Sequence, residues 1–233
     1  MTVPPSSLRS RPPEGELSPL GRPDGTETLM SHPLRIGLTG GIGSGKSTVA
    51  AQLVARGAVL VDTDAISRAL TAVGGAALPA IAAAFGPQAI GADGALDRDH
   101  MRQQVFADPA ARQRLEAILH PMIGAETLRQ AEAAGERPIV FDVPLLTESA
   151  HWRERVHKVL VVDCREATQV ARVMRRSGWA EETVQRVVAQ QATRAARRAI
   201  ADAVIFNEGL TLEQLDTQVQ RLWQAWGADR VKQ

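Results

Sequence analysis

The stretch Gly40-Gly41-Ile42-Gly43-Ser44-Gly45-Lys46-Ser47 decides the fold of this 233-residue chain. It fits G-x-x-x-x-G-K-[ST], the phosphate-binding P-loop. Residues 34–39 form a short apolar run that predicts a strand entering the loop, and residues 48–56 predict a helix leaving it. This order of strand, glycine-rich turn and helix is the context that the motif requires. The alternative is a glycine-rich turn that matches the pattern by chance, and the neighbouring strand and helix disfavour it.

The residue types of the motif predict how it would hold a nucleotide. Glycines let the backbone curl around an anion, and the N–H groups of the loop and of the helix N-terminus then point at phosphate oxygens. The Lys46 ammonium would bring positive charge to the outer phosphates, and the Ser47 hydroxyl would ligate Mg²⁺, which takes few protein ligands. The predicted phosphate-binding residues are Gly43, Ser44, Gly45, Lys46, Ser47 and Thr48.

The composition places the chain among globular proteins and excludes several classes of function. Hydrophobic residues make up 44% and charged residues 23%, which suits one domain or one domain with an inserted subdomain. The formal net charge of +1 gives no sign of the strongly basic surface that is typical of nucleic-acid-binding domains. No apolar run approaches the ~18 residues of a membrane span. Cys164 is the only cysteine, which indicates a reducing compartment. We therefore expect a cytoplasmic enzyme with no nucleic-acid or membrane partner.

The two ends of the chain differ from its middle. Residues 1–33 contain seven of the 13 prolines and no apolar run. Such a segment cannot bury enough surface to offset the entropy of ordering it, so it is predicted to be a disordered extension. The folded domain is expected over residues 34–226, and residues 227–233 are expected to form a frayed tail.

The remaining apolar runs predict a parallel α/β sheet. Four short runs, each bounded by polar or turn-forming residues, predict further strands at 58–61, 138–141, 157–162 and 202–206. Helical patterns separate them, which is typical of parallel strands with crossover helices. The predicted fold is therefore a three-layer P-loop NTPase of the nucleotide-kinase type with a five-stranded parallel sheet. Its core would comprise residues 34–73 and 135–226.

Three aspartates follow predicted strands at the edge where ligands bind in such sheets. Asp62 and Asp64 come after the second strand, and Asp142 ends the third. On an extended segment Asp62 and Asp64 would point the same way. Asp64 is our candidate for the general base that receives the proton of an acceptor hydroxyl. Asp62 would act on water around Mg²⁺ or support the loop, and the third carboxylate would reach Mg²⁺ or its waters. The alternative for each is a helix cap.

A long helical stretch separates the second strand from the third. Residues 74–134 exceed a simple crossover and predict an inserted helical subdomain that binds the acceptor. Asp108-Pro109 is a strong start signal for its longest helix. His120-Pro121 is expected to interrupt that helix, because proline lacks the backbone donor. The His120 side chain would either touch the acceptor or pack in the core.

A basic segment after the fourth strand predicts a lid over the phosphates. Residues 165–192 read as a helix, a break at Ser177-Gly178 and a second helix. Arg172 and Arg176 are favoured among its arginines to neutralise charge in the transition state while closure excludes water. The alternative is a solvated basic face. Asn207 follows the fifth strand at the edge where it would meet a nucleotide base, and the Cys164 thiol is interpreted as structural.

These motifs together resemble the dephospho-CoA kinase family over residues 34–226. The resemblance is carried by Gly37–Thr48, Val61-Asp62-Thr63-Asp64, Leu96-Asp97-Arg98, Leu119-His120-Pro121, Val143-Pro144-Leu145-Leu146 with Glu148, Gln191 with Arg194, and Val204–Gly209. It implies ATP-dependent phosphorylation of the ribose 3′-hydroxyl of dephospho-CoA, with Mg²⁺, a helical CoA-binding domain and an arginine lid. It also implies that Asp64 is the catalytic base and that Asn207 contacts adenine. Thr63 departs from the family pattern, where alanine is more common.

Other functions compete with this interpretation. A shikimate-kinase-like enzyme also has a P-loop followed by Asp-x-Asp, but its acceptor-binding pattern is missing after Phe85-Gly86. A GTPase lacks support because the chain contains no Asn-Lys-x-Asp motif. A nucleotide-binding regulatory module without phosphotransfer would not need Asp64 or the arginine-rich lid. The preferred hypothesis is a monomeric dephospho-CoA kinase that uses ATP.

Overall fold

The computed structural model describes residues 33–144, 146–147 and 150–227. The expectations for the N-terminal extension and for the tail beyond residue 227 therefore lie outside the described residues, as do Leu145 and Glu148. Among the described residues, no helix is both long and apolar enough to cross a membrane.

Five parallel strands form one sheet, as predicted. In chain order they are β1 (Arg35–Gly40), β2 (Val59–Asp62), β3 (Ile139–Asp142), β4 (Lys158–Asp163) and β5 (Ala203–Phe206). Their order across the sheet is β2-β3-β1-β4-β5. The register pairs Asp62 on β2 with Asp142 on β3, and pairs Leu38 on β1 with the same aspartate. The ends of β1, β2 and β3 therefore lie side by side at one edge.

Helices cover both faces of the sheet. They are α1 (Lys46–Ala55), α2 (Thr63–Leu70), α3 (Leu78–Phe85), α4 (Arg98–Ala107), α5 (Pro109–Ala133), α6 (Ala150–Arg155), α7 (Glu166–Ser177), α8 (Glu181–Gln190), α9 (Arg194–Ala199) and α10 (Leu212–Ala225). A 3₁₀ turn occupies Pro87–Ala89. Sequence patterns did not predict α6 or α9, which are only six residues long and so show too little periodicity.

Alternating residues of the strands build two cores. On one face Ile36, Leu38 and Val140 pack with α1 and α10, where Trp223 is buried. On the other face Ile139 and Phe141 pack with residues of α2, α5 and α6. Side chains alternate between faces along a strand, so each strand contributes to both layers.

The insertion between β2 and β3 has a core of its own. Buried residues of α3, α4 and α5, among them Ile81, Phe85 and Met101, form a third apolar cluster. The Asp97 side chain accepts a hydrogen bond from the His100 N–H (2.9 Å), and Asp108 accepts one from the Ala110 N–H (2.8 Å). Both aspartates cap helices, as expected of this residue type.

The expected interruption at His120-Pro121 is wrong. Helix α5 continues through Pro121 for 25 residues. Proline removes one helical hydrogen bond, but α5 packs against α2, α3, α4 and β2, and these contacts hold the helix in one piece. His120 is exposed, so its alternative interpretation as a core histidine is also wrong.

The expected extended geometry of Asp62 and Asp64 is wrong as well. Helix α2 begins at Thr63, so Asp62 is its N-cap and Asp64 lies in its first turn. The Asp62 carboxylate accepts a hydrogen bond from the Ala65 N–H at 2.8 Å. This bond satisfies one of the free donors at the helix start, so α2 begins directly after β2, within the segment that was expected to be extended.

Candidate active site

The P-loop joins the buried strand β1 to helix α1 at the edge where the strands end. Gly43 (φ 74°) and Gly45 (φ 97°) adopt left-handed conformations that favour glycine. A Cβ at Gly45 would lie 2.3 Å from Asn207 Nδ2, and one at Gly43 would lie 2.7 Å from the Gln169 carbonyl oxygen. The loop thus needs glycine at both positions, for its backbone shape and for the closeness of its neighbours.

Lys46 contacts the carboxylate of Asp142 inside the site. The Lys46 Nζ donates to Asp142 Oδ1. Asp142 is only 6% exposed, and burial raises its pKa, while the Lys46 charge opposes that rise and the charges of Asp62 and Asp64 add to it. No helix begins at Asp142, so the capping alternative is wrong for this residue. The contact links the P-loop lysine to the neighbouring strand.

Asp64 is the exposed carboxylate of the site. Its side chain makes no hydrogen bond or ion pair among the described residues, whereas Asp62 caps α2 and lies 3.6 Å from Arg68 Nη2. Thr63 donates its hydroxyl hydrogen bond to the Asp142 carbonyl at 3.1 Å. This bond ties the first turn of α2 to β3. Asp64 therefore stands at the rim of the site, with its carboxylate available to an acceptor.

Ser47 is suited to a small hydrated cation. It lies in the first turn of α1 with an exposed side chain, and its hydroxyl has no hydrogen bond within the described part of the chain. No group of three or more His, Cys, Asp or Glu residues within that part could enclose a metal. Mg²⁺ usually takes one or two protein ligands and fills the rest with phosphates and water, so a single serine hydroxyl beside the P-loop fits it.

Helix α7 packs its inner face on the P-loop. Arg172 Nη1 donates to the carbonyl oxygens of Gly43 and Ser44 (3.3 Å each), and its Nη2 donates to the Asn207 carbonyl at 3.0 Å. Arg176, one turn further along α7, is exposed and donates only to the hydroxyl of Ser177 among the described residues. The two predicted lid arginines therefore differ, since Arg172 already lies at the loop and Arg176 does not.

Asn207 contacts the P-loop directly. Its Nδ2 donates to the Ser44 carbonyl at 2.8 Å, and the side chain is buried. Ser44 is fully buried and donates its N–H to the Gly41 carbonyl at 3.0 Å. Asn207 thus braces the loop in this structure, and its predicted contact with adenine stays a prediction.

Two glutamines beside the P-loop were not singled out for this role from the sequence. The Gln191 Oε1 accepts from the Ile42 N–H at 3.0 Å. Gln169 is fully buried, and neither its Oε1 nor its Nε2 has a hydrogen-bond partner among the described residues. Its amide lies 2.5 Å from where a Cβ of Gly41 would be. Gln169 lies three positions before Arg172, so the two share one face of the helix. That spacing is the sequence signal that could have identified Gln169 as a neighbour of the predicted lid arginine.

Gln169→Met is expected to raise the melting temperature of the protein. An unpaired buried polar group costs about 1–3 kcal/mol, and methionine fills a similar volume without polar atoms to satisfy. Thermal unfolding followed by circular dichroism would measure the change. Gln190→Met, at an exposed position of α8, is the matched control and should alter the melting temperature little. A lower melting temperature for Gln169→Met would show that the Gln169 amide makes a stabilising hydrogen bond in solution.

An ion pair joins the end of β4 to the start of α9, on either side of the predicted lid segment. Arg194 donates from Nε and Nη2 to both carboxylate oxygens of Asp163, each at 2.8 Å. The hydrogen bond that Arg194 donates to Asp163 raises the pKa of Arg194 above its ordinary value. Cys164, next to this pair, is fully buried, and burial raises the pKa of its thiol. The thiol is therefore held neutral, which fits its structural interpretation.

A family model matches most of the chain. The dephospho-CoA kinase family model matches residues 34–213. A dephospho-CoA kinase of Bordetella parapertussis is 56% identical over 193 residues, covering 82% of this chain and 90% of the relative. One of Burkholderia lata is 56% identical over 191 residues, covering 82% and 95%.

Solved structures agree in fold. TT1252 from Thermus thermophilus is 34% identical, with a TM-score of 0.72 and coverage of 84% of this chain and 98% of that one. A dephospho-CoA kinase from Campylobacter jejuni is similar in fold, with a TM-score of 0.60 over 82% of this chain and 96% of its own, at 22% identity.

Proposed function

The chain belongs to the dephospho-CoA kinase family, and we propose that its site transfers the γ-phosphoryl group of ATP to the ribose 3′-hydroxyl of dephospho-CoA. The products are CoA and ADP. The observation that carries this proposal is the meeting of Lys46 and Asp142 at the edge of the sheet where Asp62 and Asp64 also lie. The phosphate cradle follows β1 and the exposed carboxylate of Asp64 follows β2, with Asp142 on β3 between them. Phosphoryl transfer depends mainly on such positioning and on charge stabilisation.

The P-loop would hold the triphosphate. Its backbone N–H groups and the N-terminus of α1 favour negative charge. The ammonium of Lys46 would exchange part of its contact with Asp142 for the outer phosphates. Asp142 would then orient water around a bound Mg²⁺. Mg²⁺, which the Ser47 hydroxyl would ligate, supplies neutralisation of charge on the phosphates when bound.

Asp64 would receive the proton. As the 3′-oxygen forms its bond to the γ-phosphorus and the bond to the β-phosphate oxygen breaks, the hydroxyl proton passes to the Asp64 carboxylate, and ADP leaves. The exposure of Asp64 at the rim supports this role, because a base must reach its acceptor. We propose that the insertion, residues 74–134, supplies the acceptor-binding subdomain beside it.

The experiment that tests this function is an acceptor screen. The protein with ATP and Mg²⁺ is incubated with dephospho-CoA, shikimate, or no acceptor, and ADP release and product mass are measured. ADP release should depend on dephospho-CoA, with the product heavier by one phosphoryl group. Release with shikimate instead would favour the shikimate-kinase-like alternative, and ATP binding without any release would favour a regulatory module.

Arg172→Ala is expected to lower kcat/KM for ATP more than Arg175→Ala does. Arg172 donates to the P-loop carbonyls and to Asn207, whereas Arg175 is an exposed residue of the same helix. Loss of a preorganised charged donor costs about 10²-fold in catalysis, while loss of a solvated charge costs little. Steady-state kinetics at varied ATP would measure both variants. Equal effects would mean that the lid acts only through its general charge.

We also propose that the enzyme works as a monomer in the cytoplasm. Every residue of the proposed site comes from one chain, so no partner copy is needed to complete it. The location rests on the sequence, whose single buried cysteine suits a reducing compartment.

A further inference from the structure

Gln191 contacts the P-loop from the end of helix α8. It is the C-cap residue of that helix, and its Oε1 accepts a hydrogen bond from the Ile42 N–H at 3.0 Å. The two residues are 149 positions apart in the sequence. An N–H group donates well in only one direction, so the Ile42 N–H is directed at Gln191 and not at a bound anion.

The loop divides its backbone donors into two groups. The first group donates within the protein and consists of the N–H groups of Ile42 and Ser44. The second group has no partner among the described residues and consists of the N–H groups of Gly43, Gly45, Lys46 and Ser47. Free backbone donors at a glycine-rich turn and a helix start suit phosphate oxygens. The first group therefore shapes the loop, and the second group is left for an anion.

The peptide group between Gly41 and Ile42 is held at both of its ends. Its carbonyl oxygen accepts a hydrogen bond from the Ser44 N–H at 3.0 Å, and its own N–H donates to Gln191. The C=O and N–H of a trans peptide point in opposite directions, so the two bonds restrain it from opposite sides. Gly41 has no Cβ to limit rotation of this group. The bond to Gln191 is therefore the restraint that a side chain supplies.

The backbone that carries Gln191 is itself fixed to the sheet. Arg197 is 5% exposed, and its Nη1 donates to the Ala192 carbonyl oxygen at 2.7 Å. Arg194 pairs with Asp163, the last residue of β4, and β4 lies next to β1 in the sheet. The segment between α8 and α9 is thereby attached to the edge that bears the P-loop. The Gln191 side chain reaches the loop from a well-anchored base.

We propose that Gln191 is a positioning residue for ATP binding. It holds the peptide group between Gly41 and Ile42 so that the four free donors of the loop are already arranged when the phosphates arrive. A loop shaped in advance avoids the cost of ordering it on binding. Gln191 touches no reacting atom and acts only through Ile42. This inference rests on the proposed function, because the nucleotide concerned is the ATP of that reaction.

Gln191→Leu tests this inference, because leucine has no acceptor for the Ile42 N–H. Isothermal titration with ATP and Mg²⁺, in the absence of an acceptor, would measure the Kd. We expect the Kd of Gln191→Leu to rise at least about fivefold, the scale of one lost hydrogen bond. Gln190→Leu makes the same change at the exposed neighbouring position and is the matched control. Its Kd for ATP should stay within about twofold of that of the unaltered chain, as is usual for a surface substitution.

Hydrogen exchange at the Ile42 amide, followed by NMR without nucleotide, reports the restraint itself. Exchange should be slow in the unaltered chain and faster in Gln191→Leu, while the amides of β1 exchange as slowly as before. Gln191→Glu keeps an acceptor oxygen on a side chain of the same length. This second variant should therefore keep the Ile42 amide protected.

Three results would overturn the inference. An unchanged Kd for ATP in Gln191→Leu would show that the loop needs no such restraint. A lower Kd would show that Gln191 competes with a phosphate for the Ile42 N–H. Weaker binding together with faster exchange of the β1 amides would mean that the substitution acts through a general loss of structure.

Failure of the proposed function would give a different result. If the unaltered chain binds ATP but phosphorylates no dephospho-CoA, the assigned reaction is wrong. The Kd for ATP and the exchange of the Ile42 amide are both measured without an acceptor, so they still decide the role of Gln191.

Discussion

Lys46→Ala is expected to lower kcat/KM for ATP by about 10²- to 10³-fold, the range measured when one preorganised donor to a reacting oxyanion is lost. The Lys46 ammonium sits on a flexible four-carbon stem that extends past the backbone N–H groups of the P-loop. Its positive charge can therefore stay close to the γ-phosphoryl group during transfer. Both binding and rate should suffer, since the lysine serves the ground state and the transition state. Steady-state kinetics with varied ATP and saturating dephospho-CoA would measure the loss.

The same substitution is expected to destabilise the fold. It leaves the Asp142 carboxylate buried without its cation, and breaking a buried ion pair costs about 3–5 kcal/mol. The side chains of Lys46 and Asp142 are 18% and 9% exposed, so solvent screens their contact little. Thermal unfolding of Lys46→Ala should therefore show a lower melting temperature than that of the unaltered chain.

The pH dependence of this loss has a definite sign. Burial already raises the pKa of Asp142 in the folded state, and removing Lys46 removes an influence that lowers it. A carboxyl group whose pKa is higher in the folded than in the unfolded state favours folding while it is protonated. That contribution is complete below the unfolded pKa and is lost as the pH rises through the folded pKa. The destabilisation of Lys46→Ala should therefore be smallest at pH values below about 4, the unfolded aspartate pKa. It should grow as the pH rises through the folded pKa.

A double variant separates the two effects of Lys46. Lys46→Ala with Asp142→Asn removes the unpaired carboxylate, so the melting temperature should recover near pH 7 while activity does not. Recovery of activity together with stability would show that Lys46 acts only through the fold. A Lys46→Ala enzyme with intact kinetics would contradict the assignment of the P-loop outright.

The P-loop and the sheet could be predicted because their signals are local. Gly43, Gly45 and Lys46 lie within one short motif, and each strand is an apolar run with polar ends. A left-handed glycine is dictated by its own backbone, and a buried strand by its own composition. These features need no knowledge of distant contacts.

The features that sequence reasoning missed depend on distant contacts. Pro121 should break a helix on local grounds, yet packing against other elements keeps α5 continuous. Gln191 accepts a hydrogen bond from the loop about 150 positions away, and Gln169 lies against Gly41 from about 130 positions away. The spacing of Gln169 from Arg172 places both on one face of α7, but it does not indicate that this face packs on the loop. The contact of Lys46 with Asp142 was implied only by the general geometry of parallel sheets.

Asp64→Asn is expected to lower kcat by roughly 10²-fold or more, the usual scale for a lost general base. Asparagine keeps the size of the side chain and cannot take the proton. The KM for ATP should change little, because Asp64 lies on α2 and not in the P-loop. Single-turnover measurements would report the chemical step even if product release limits kcat.

Asp62→Asn is the matched control for this prediction, since it makes the same change two residues earlier. Asparagine is as good an N-cap as aspartate, so the hydrogen bond to the Ala65 N–H can persist and α2 should remain folded. The single-turnover rate of Asp62→Asn should fall less than tenfold, whereas that of Asp64→Asn should fall far more. If both variants lose activity equally, the pair acts through shared negative charge. If Asp64→Asn turns over near normally, positioning of the acceptor suffices and no carboxylate base is needed, because the proton can then leave through the phosphate or through water.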